Sequence, residues 1–202
     1  MSKKNESNTE HKEAMQAVQN DVRQAVTRAV EKRGVVIYLY GNGKGKSSSA
    51  FGTLLRAVGH DQHATVVQFI KGKWKTGEEK FLKNHPLITY HAMGTGFTWD
   101  SQDKSRDIAA AKKTWKYVER ALTDETINLV VLDEIIYMFD FDYLPLGPFI
   151  DSLKARPKNQ NVIITGRTAV SELVELADTV SEVKEIKHAF NTGVKAQKGI
   201  EF

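Results

Sequence analysis

An apolar run, Val35-Val36-Ile37-Tyr38-Leu39, leads through Tyr40 straight into Gly41-Asn42-Gly43-Lys44-Gly45-Lys46-Ser47-Ser48. The run reads as a buried strand, and the stretch from Lys46 to Arg56 reads as a helix. Strand, glycine-rich loop and helix in that order confine the chain to an α/β unit with the loop at the strand's C-terminal end. Glycines at 41, 43 and 45 can take positive φ and let backbone N–H groups face an anion. The first turn of the helix turns its N–H groups and its dipole toward the same anion. Lys46 adds a point charge, the Ser47 hydroxyl is placed to ligate Mg²⁺, and Lys44 favours a polyanion over a bare turn. The loop is also short. Asn42, Gly43 and Lys44 separate the first glycine from Gly45-Lys46, where the common phosphate loop has four residues. Phosphoryl transfer is therefore not to be assumed.

A second apolar strand, 127–132 (Ile-Asn-Leu-Val-Val-Leu), ends in Asp133-Glu134. Acidic residues at the C-terminal end of a parallel strand lie on the ligand side of an open α/β sheet. An Asp there commonly holds Mg²⁺ directly or through its waters. Two adjacent carboxylates leave the division of labour open. Glu134 is favoured for close contact with the metal, with Asp133 as a second ligand or as its support.

The 202 residues suffice for one domain with a sizeable core. A hydrophobic share of 41% and a charged share of 27% fit a globular protein. No stretch approaches the ~20 apolar residues that span a bilayer. The first residues, Met-Ser-Lys-Lys-Asn-Glu-Ser, lack the apolar core of a secretory signal. The absence of cysteine excludes disulfides, a thiol nucleophile and thiolate metal sites. A cytoplasmic location and no membrane partner are expected. The net charge of +4 suits an anionic ligand, but the lysines, such as Lys71, Lys73 and Lys75, are scattered. Nucleic acid is not expected as a partner.

Residues 1–12 are polar and charged and are expected to lack structure. Met15, Val18, Val22, Val26 and Val30 then recur at helical spacing up to Gly34. That amphipathic helix could pack on the domain or on a second subunit, or act as a lid. With the tail it forms an N-terminal region, 1–33, ahead of a domain spanning 34–202. Within the domain, strands are expected at 35–40, 65–70, 87–91, 127–132, 161–165 and 179–183. Helices are expected at 46–58, 78–84, 105–122, 146–155 and 169–177. Such alternation means a mainly parallel sheet of about six strands with helices on both faces.

After the third strand comes Gly94-Thr95-Gly96-Phe97-Thr98-Trp99. Phe97 and Trp99 either pin this loop to the core or form an apolar wall for a large second substrate. Arg167 and Arg56 are candidate nucleotide contacts, though Arg56 reads equally as a helix-surface charge. His188 reads as a structural hydrogen-bonding residue, and the other histidines show no metal-ligand spacing.

Six segments in order carry a resemblance. They are Gly-Asn-Gly-Lys-Gly-Lys-Ser from Gly41, Val66-Val67-Gln68-Phe69-Ile70-Lys71-Gly72, Gly96-Phe97-Thr98-Trp99, Val130-Val131-Leu132-Asp133-Glu134, Val162-Ile163-Ile164-Thr165-Gly166-Arg167, and the stretch from Lys187-His188-Ala189-Phe190 to Glu201. From about Gly34 to Phe202 the chain resembles the bacterial ATP:corrinoid adenosyltransferases, whose phosphate loop is likewise short. The resemblance implies a P-loop, RecA-like fold. It implies attack of a corrinoid Co(I), as in reduced cobalamin, on the 5′ carbon of ATP, with intact triphosphate leaving. ATP would lie reversed in the loop, contacted by residues 41–48, Asn42 and Ser48 included. Ser47 stands where the family has Thr and keeps the hydroxyl for Mg²⁺. Phe97 and Trp99 would face the corrinoid and crowd out the lower axial ligand of cobalt, which eases reduction of Co(II). No general base is needed, because the nucleophile is a metal electron pair. A reduced flavoprotein as electron donor and a homodimer are further expectations of the resemblance.

Overall fold

The computed structural model describes residues 2–70, 76–94 and 104–202. It divides into two compact units, 1–33 and 34–202. The first is one helix, α1 (Ser2–Arg28). It takes in residues 2–12, which were expected to lack structure, and stops short of Gly34. The physical reason lies in composition: no Gly or Pro interrupts residues 1–33, and Lys, Glu, Gln and Ala, all good helix formers, dominate it.

The second unit alternates strand and helix. Its strands are β1 (Val36–Tyr40), β2 (Ala64–Gln68), β3 (Ile88–Ala92), β4 (Leu129–Asp133), β5 (Asn161–Thr165) and β6 (Thr179–Glu182). The longer helices are α2 (Lys46–Val58), α4 (Lys104–Thr123) and α6 (Leu146–Ala155). The shorter ones are α3 (Gly77–Leu82), α5 (Ile136–Asp140) and α7 (Ser171–Leu176). A 3₁₀ turn, Ala189–Thr192, follows β6. Neither α5 nor this turn was expected from the sequence, since both are too short to show a period.

All six strands are parallel, in the order β3-β2-β4-β5-β1-β6. The central strands are buried on both faces, which is why they read as unbroken Val/Ile/Leu runs rather than as alternation. Successive residues still point to opposite sides. Val130 and Leu132 join the core shared with α4, α5, α6 and α7, whereas Leu129 and Val131 join the core under α2 and α3. Helices thus cover both faces. Strand register places the polar residues at the sheet edge: β2 and β4 pair with Gln68 opposite Asp133, and β4 and β5 pair with Leu132 opposite Ile164. The next step along β4 and β5 brings Asp133 beside Thr165. The C-terminal ends of β1, β2, β4 and β5 therefore deliver Gly41, Gln68, Asp133–Glu134 and Thr165–Arg167 to one edge of the sheet.

Candidate active site

That edge opens into a cavity of about 730 Å³. It is lined by loop residues 42–48 with Gln68, Glu134 and Arg167, by Phe51 and residues 76–78, and by residues from the C-terminal stretch 185–202. The structure thus brings together Asn42, Gly43, Lys44, Gly45, Lys46, Ser47, Ser48, Glu134 and Arg167.

The glycines of the loop divide their work. A Cβ on Gly41 would lie 2.4 Å from the Val183 carbonyl oxygen, and one on Gly43 would lie 2.7 Å from Lys184 backbone atoms. The Gly43 N–H donates to the Val183 oxygen at 2.7 Å, and the Gly41 N–H to the Arg167 oxygen at 3.1 Å. These two glycines admit neighbouring backbone, and their N–H groups are committed to it rather than to an anion. Gly45 differs. Its φ of 121° starts α2, and a Cβ there would meet open space. A side chain at Gly45 would be strained by conformation alone.

Lys46 is only 6% exposed, and its ammonium donates to the Gly43 carbonyl at 2.9 Å. Burial pushes its pKa below the usual lysine value and Arg167 adds to this, while Glu134 and Asp133 oppose it. Lys44 turns away from the loop, donating to the Ile200 carbonyl at 2.9 Å and to Glu201 at 2.8 Å.

The two carboxylates separate clearly. Asp133 is 1% exposed and both of its oxygens are occupied. Oδ2 accepts from the Gln68 amide at 2.7 Å, and Oδ1 accepts from the Thr165 hydroxyl at 2.7 Å. Gln68 in turn accepts from the Tyr90 hydroxyl at 3.1 Å. Glu134 sits at φ 57°, a left-handed conformation rare for a side-chain-bearing residue. Its N–H donates to the Thr165 hydroxyl at 2.8 Å, which ties the turn to β5. Burial, reinforced by the charge of Asp133, pushes its pKa up to about 7, against the pull of Lys46 and Arg167. Its Oε2 is buried and has no hydrogen-bond partner among the described residues.

An orphaned carboxylate oxygen in a cavity also lined by Ser47 and the phosphate loop fits Mg²⁺. This ion takes hard oxygen donors and is usually held by one or two carboxylates plus substrate phosphates. No cluster of three or more His, Cys, Asp or Glu residues that could hold a metal occurs among the described residues.

Arg56 is not brought to the cavity. It lies in the last turn of α2, about 15 Å from Lys46 at ~1.5 Å rise per residue. There it borders a separate, smaller hollow with Val35, Ala57 and His60. Phe97 and Trp99 lie outside the described residues, as do Lys71, Lys73 and Lys75. His188 accepts from the Phe190 N–H at 3.2 Å and so caps the 3₁₀ turn, a structural role. Three features escaped the sequence reading: Gln68 and Thr165 as partners of Asp133, and the stretch 185–202 as a wall. A polar residue closing each apolar run, at Gln68 and Thr165, was the available signal for the first two.

Residues 32–202 match the family model described as ATP:corrinoid adenosyltransferase BtuR/CobO/CobP. This chain belongs to that family. The match takes in every residue that lines the cavity. Among its relatives, the corrinoid adenosyltransferase of Escherichia coli strain K12 is 46% identical over 97% of this chain and 100% of its own length. The corrinoid adenosyltransferase CobA of Salmonella typhimurium is 47% identical over the same shares. That of Pseudomonas aeruginosa is 46% identical over the full length of both chains. Among solved structures, the RadB recombinase is similar at a TM-score of 0.42, with 16% identity over 78% of this chain and 77% of that one.

Proposed function

We propose that this chain transfers the 5′-deoxyadenosyl group of ATP to the Co(I) centre of a corrinoid and releases triphosphate. The observation that supports this most is that the family match covers the whole cavity and not the phosphate loop alone. Carbon–cobalt bond formation uses the Co(I) electron pair, and the C5′–O bond breaks with its electrons going to the triphosphate. The leaving group thus gathers negative charge. Lys46, Arg167 and the N-terminal turn of α2 face it and favour that charge in a partly dry site. Mg²⁺ would be held by the Ser47 hydroxyl and Glu134 and would supply further charge neutralisation on the triphosphate. Asp133 would support Glu134 rather than ligate, since both its oxygens already accept hydrogen bonds. Asn42 and Ser48 would contact the nucleotide at the cavity rim. Arg56 has no part in this reading.

Phe97 and Trp99 are proposed to face the corrinoid and exclude water and the lower axial ligand from cobalt. The Co(I) state calls for a reductant, and a reduced flavoprotein is the proposed donor. A homodimer, a cytoplasmic setting and a catalytic domain spanning 34–202 complete the reading.

The test is product analysis. Protein mixed with ATP, Mg²⁺ and chemically reduced cobalamin should form a light-sensitive adenosylated corrinoid and one triphosphate per turnover. Release of ADP, the mark of a kinase or ATPase acting at the γ-phosphate, would overturn the proposal.

A further inference from the structure

The cavity has two chemically unlike sides. The loop side carries Lys46, Arg167 and the start of α2, all suited to phosphate. The C-terminal stretch contributes the carboxylates of Glu185 and Glu201, the Asn191 amide and two apolar side chains, Phe190 and Ile200. The Phe190 ring offers a triphosphate nothing. A nucleoside, by contrast, has a flat apolar face for the ring and hydroxyl and amino donors for the carboxylates.

Phe190 stands out on this wall. It lines the cavity, yet it is 71% exposed and so contributes little to the core. The turn that presents it is held at several points: His188 caps its start, Gly193 closes it at φ 84°, and the Asn191 amide donates to Glu185 at 2.8 Å. The wall is fastened to the phosphate loop at two places. The Gly43 N–H bonds the Val183 carbonyl, and Lys44 bonds both the Ile200 carbonyl and Glu201. A large aromatic ring held on a fastened turn, facing a cavity and left largely uncovered, is how a stacking platform is made.

We propose that residues 185–202 form the nucleoside-binding wall of the cavity, with the Phe190 ring as the platform on which the base stacks. Every base has a π-face, so a platform of this kind grips the nucleoside without selecting among bases. This inference rests on the nucleotide reading above and adds to it the residue that holds the end of the substrate remote from the triphosphate.

Calorimetric titration of the full chain with ATP and with inorganic tripolyphosphate, both with Mg²⁺, tests it, because the two ligands differ only by the nucleoside. Phe190→Ala should lower ATP affinity about tenfold, the loss expected when one base–aromatic stack is removed. Affinity for tripolyphosphate should stay unchanged, and Phe190→Tyr should restore ATP binding. CTP should lose as much as ATP in Phe190→Ala. An equal loss for ATP and tripolyphosphate, or no loss for either, would overturn the wall. A loss confined to corrinoid affinity would overturn it too and assign the ring to the second substrate. Wild-type protein that binds neither ATP nor tripolyphosphate would bring down the nucleotide reading itself, and this inference with it.

Discussion

The strand-end side of the cavity and its C-terminal side differ in how their polar groups are held. At the strand ends, Lys46, Gln68, Asp133 and Thr165 are between 0 and 6% exposed, and hydrogen bonds run from Tyr90 through Gln68, Asp133 and Thr165 to the backbone of Glu134. Gln68, Asp133 and Thr165 are set by strand register, so none of the three can move without leaving a buried group unpaired. On the C-terminal side, Phe190 and Ile200 are 71% and 63% exposed, and the Lys44–Glu201 pair is open to water, with 45% and 29% of those side chains exposed. Charge control therefore sits on the rigid side. The C-terminal side, fastened through its backbone, presents exposed apolar contact area instead.

The largest expected effect is on catalysis at the rigid side. Lys46→Ala removes the buried cation proposed to face the leaving group and should lower turnover with reduced corrinoid by about 100-fold or more. Comparable turnover in the variant would show that the loop backbone and metal suffice.

Stability should separate the two sides next. Asp133→Ala leaves the Gln68 amide and the Thr165 hydroxyl without their buried acceptor, and urea unfolding should show a loss of about 3 kcal/mol. Glu201→Ala breaks a solvent-screened ion pair and should change stability by less than about 1 kcal/mol. Equal losses would mean that the two sides are held alike.

A pH dependence sharpens the rigid side further. Folded Glu134 keeps its proton up to about pH 7, whereas the unfolded carboxyl releases it near 4.5. Between those values the folded state binds more protons, so its stability should fall as pH rises, by on the order of 3 kcal/mol at most. Glu134→Gln should flatten that fall when unfolding is followed without metal or nucleotide. An unchanged slope would mean that Glu134 is ionised in the folded chain.

Six strands, the phosphate loop and Asp133-Glu134 were legible in the chain because each depends on neighbours in sequence. A doubly buried strand must be an apolar run, a loop passing under backbone must be glycine-rich, and a polar pair ending such a run must lie at the sheet edge. Boundaries moved by a residue or two, and α5 stayed hidden because five residues cannot display a helical period. The N-terminal polar stretch read as unstructured from its charge, although its lack of Gly and Pro pointed to the helix observed.

The sequence by itself determined which elements exist and which functional types they carry, since periodicity and backbone conformation are local properties. Only the tertiary structure decided which carboxylate is free. Asp133 and Glu134 are adjacent in the chain, but the register of β2, β4 and β5 saturates one and the left-handed turn aims the other at the cavity. It likewise sent Arg56 to the far end of α2, gave Lys44 a partner 157 residues away and turned Phe190 into part of the cavity wall. Those outcomes depend on contacts between distant segments, which no spacing along the chain encodes.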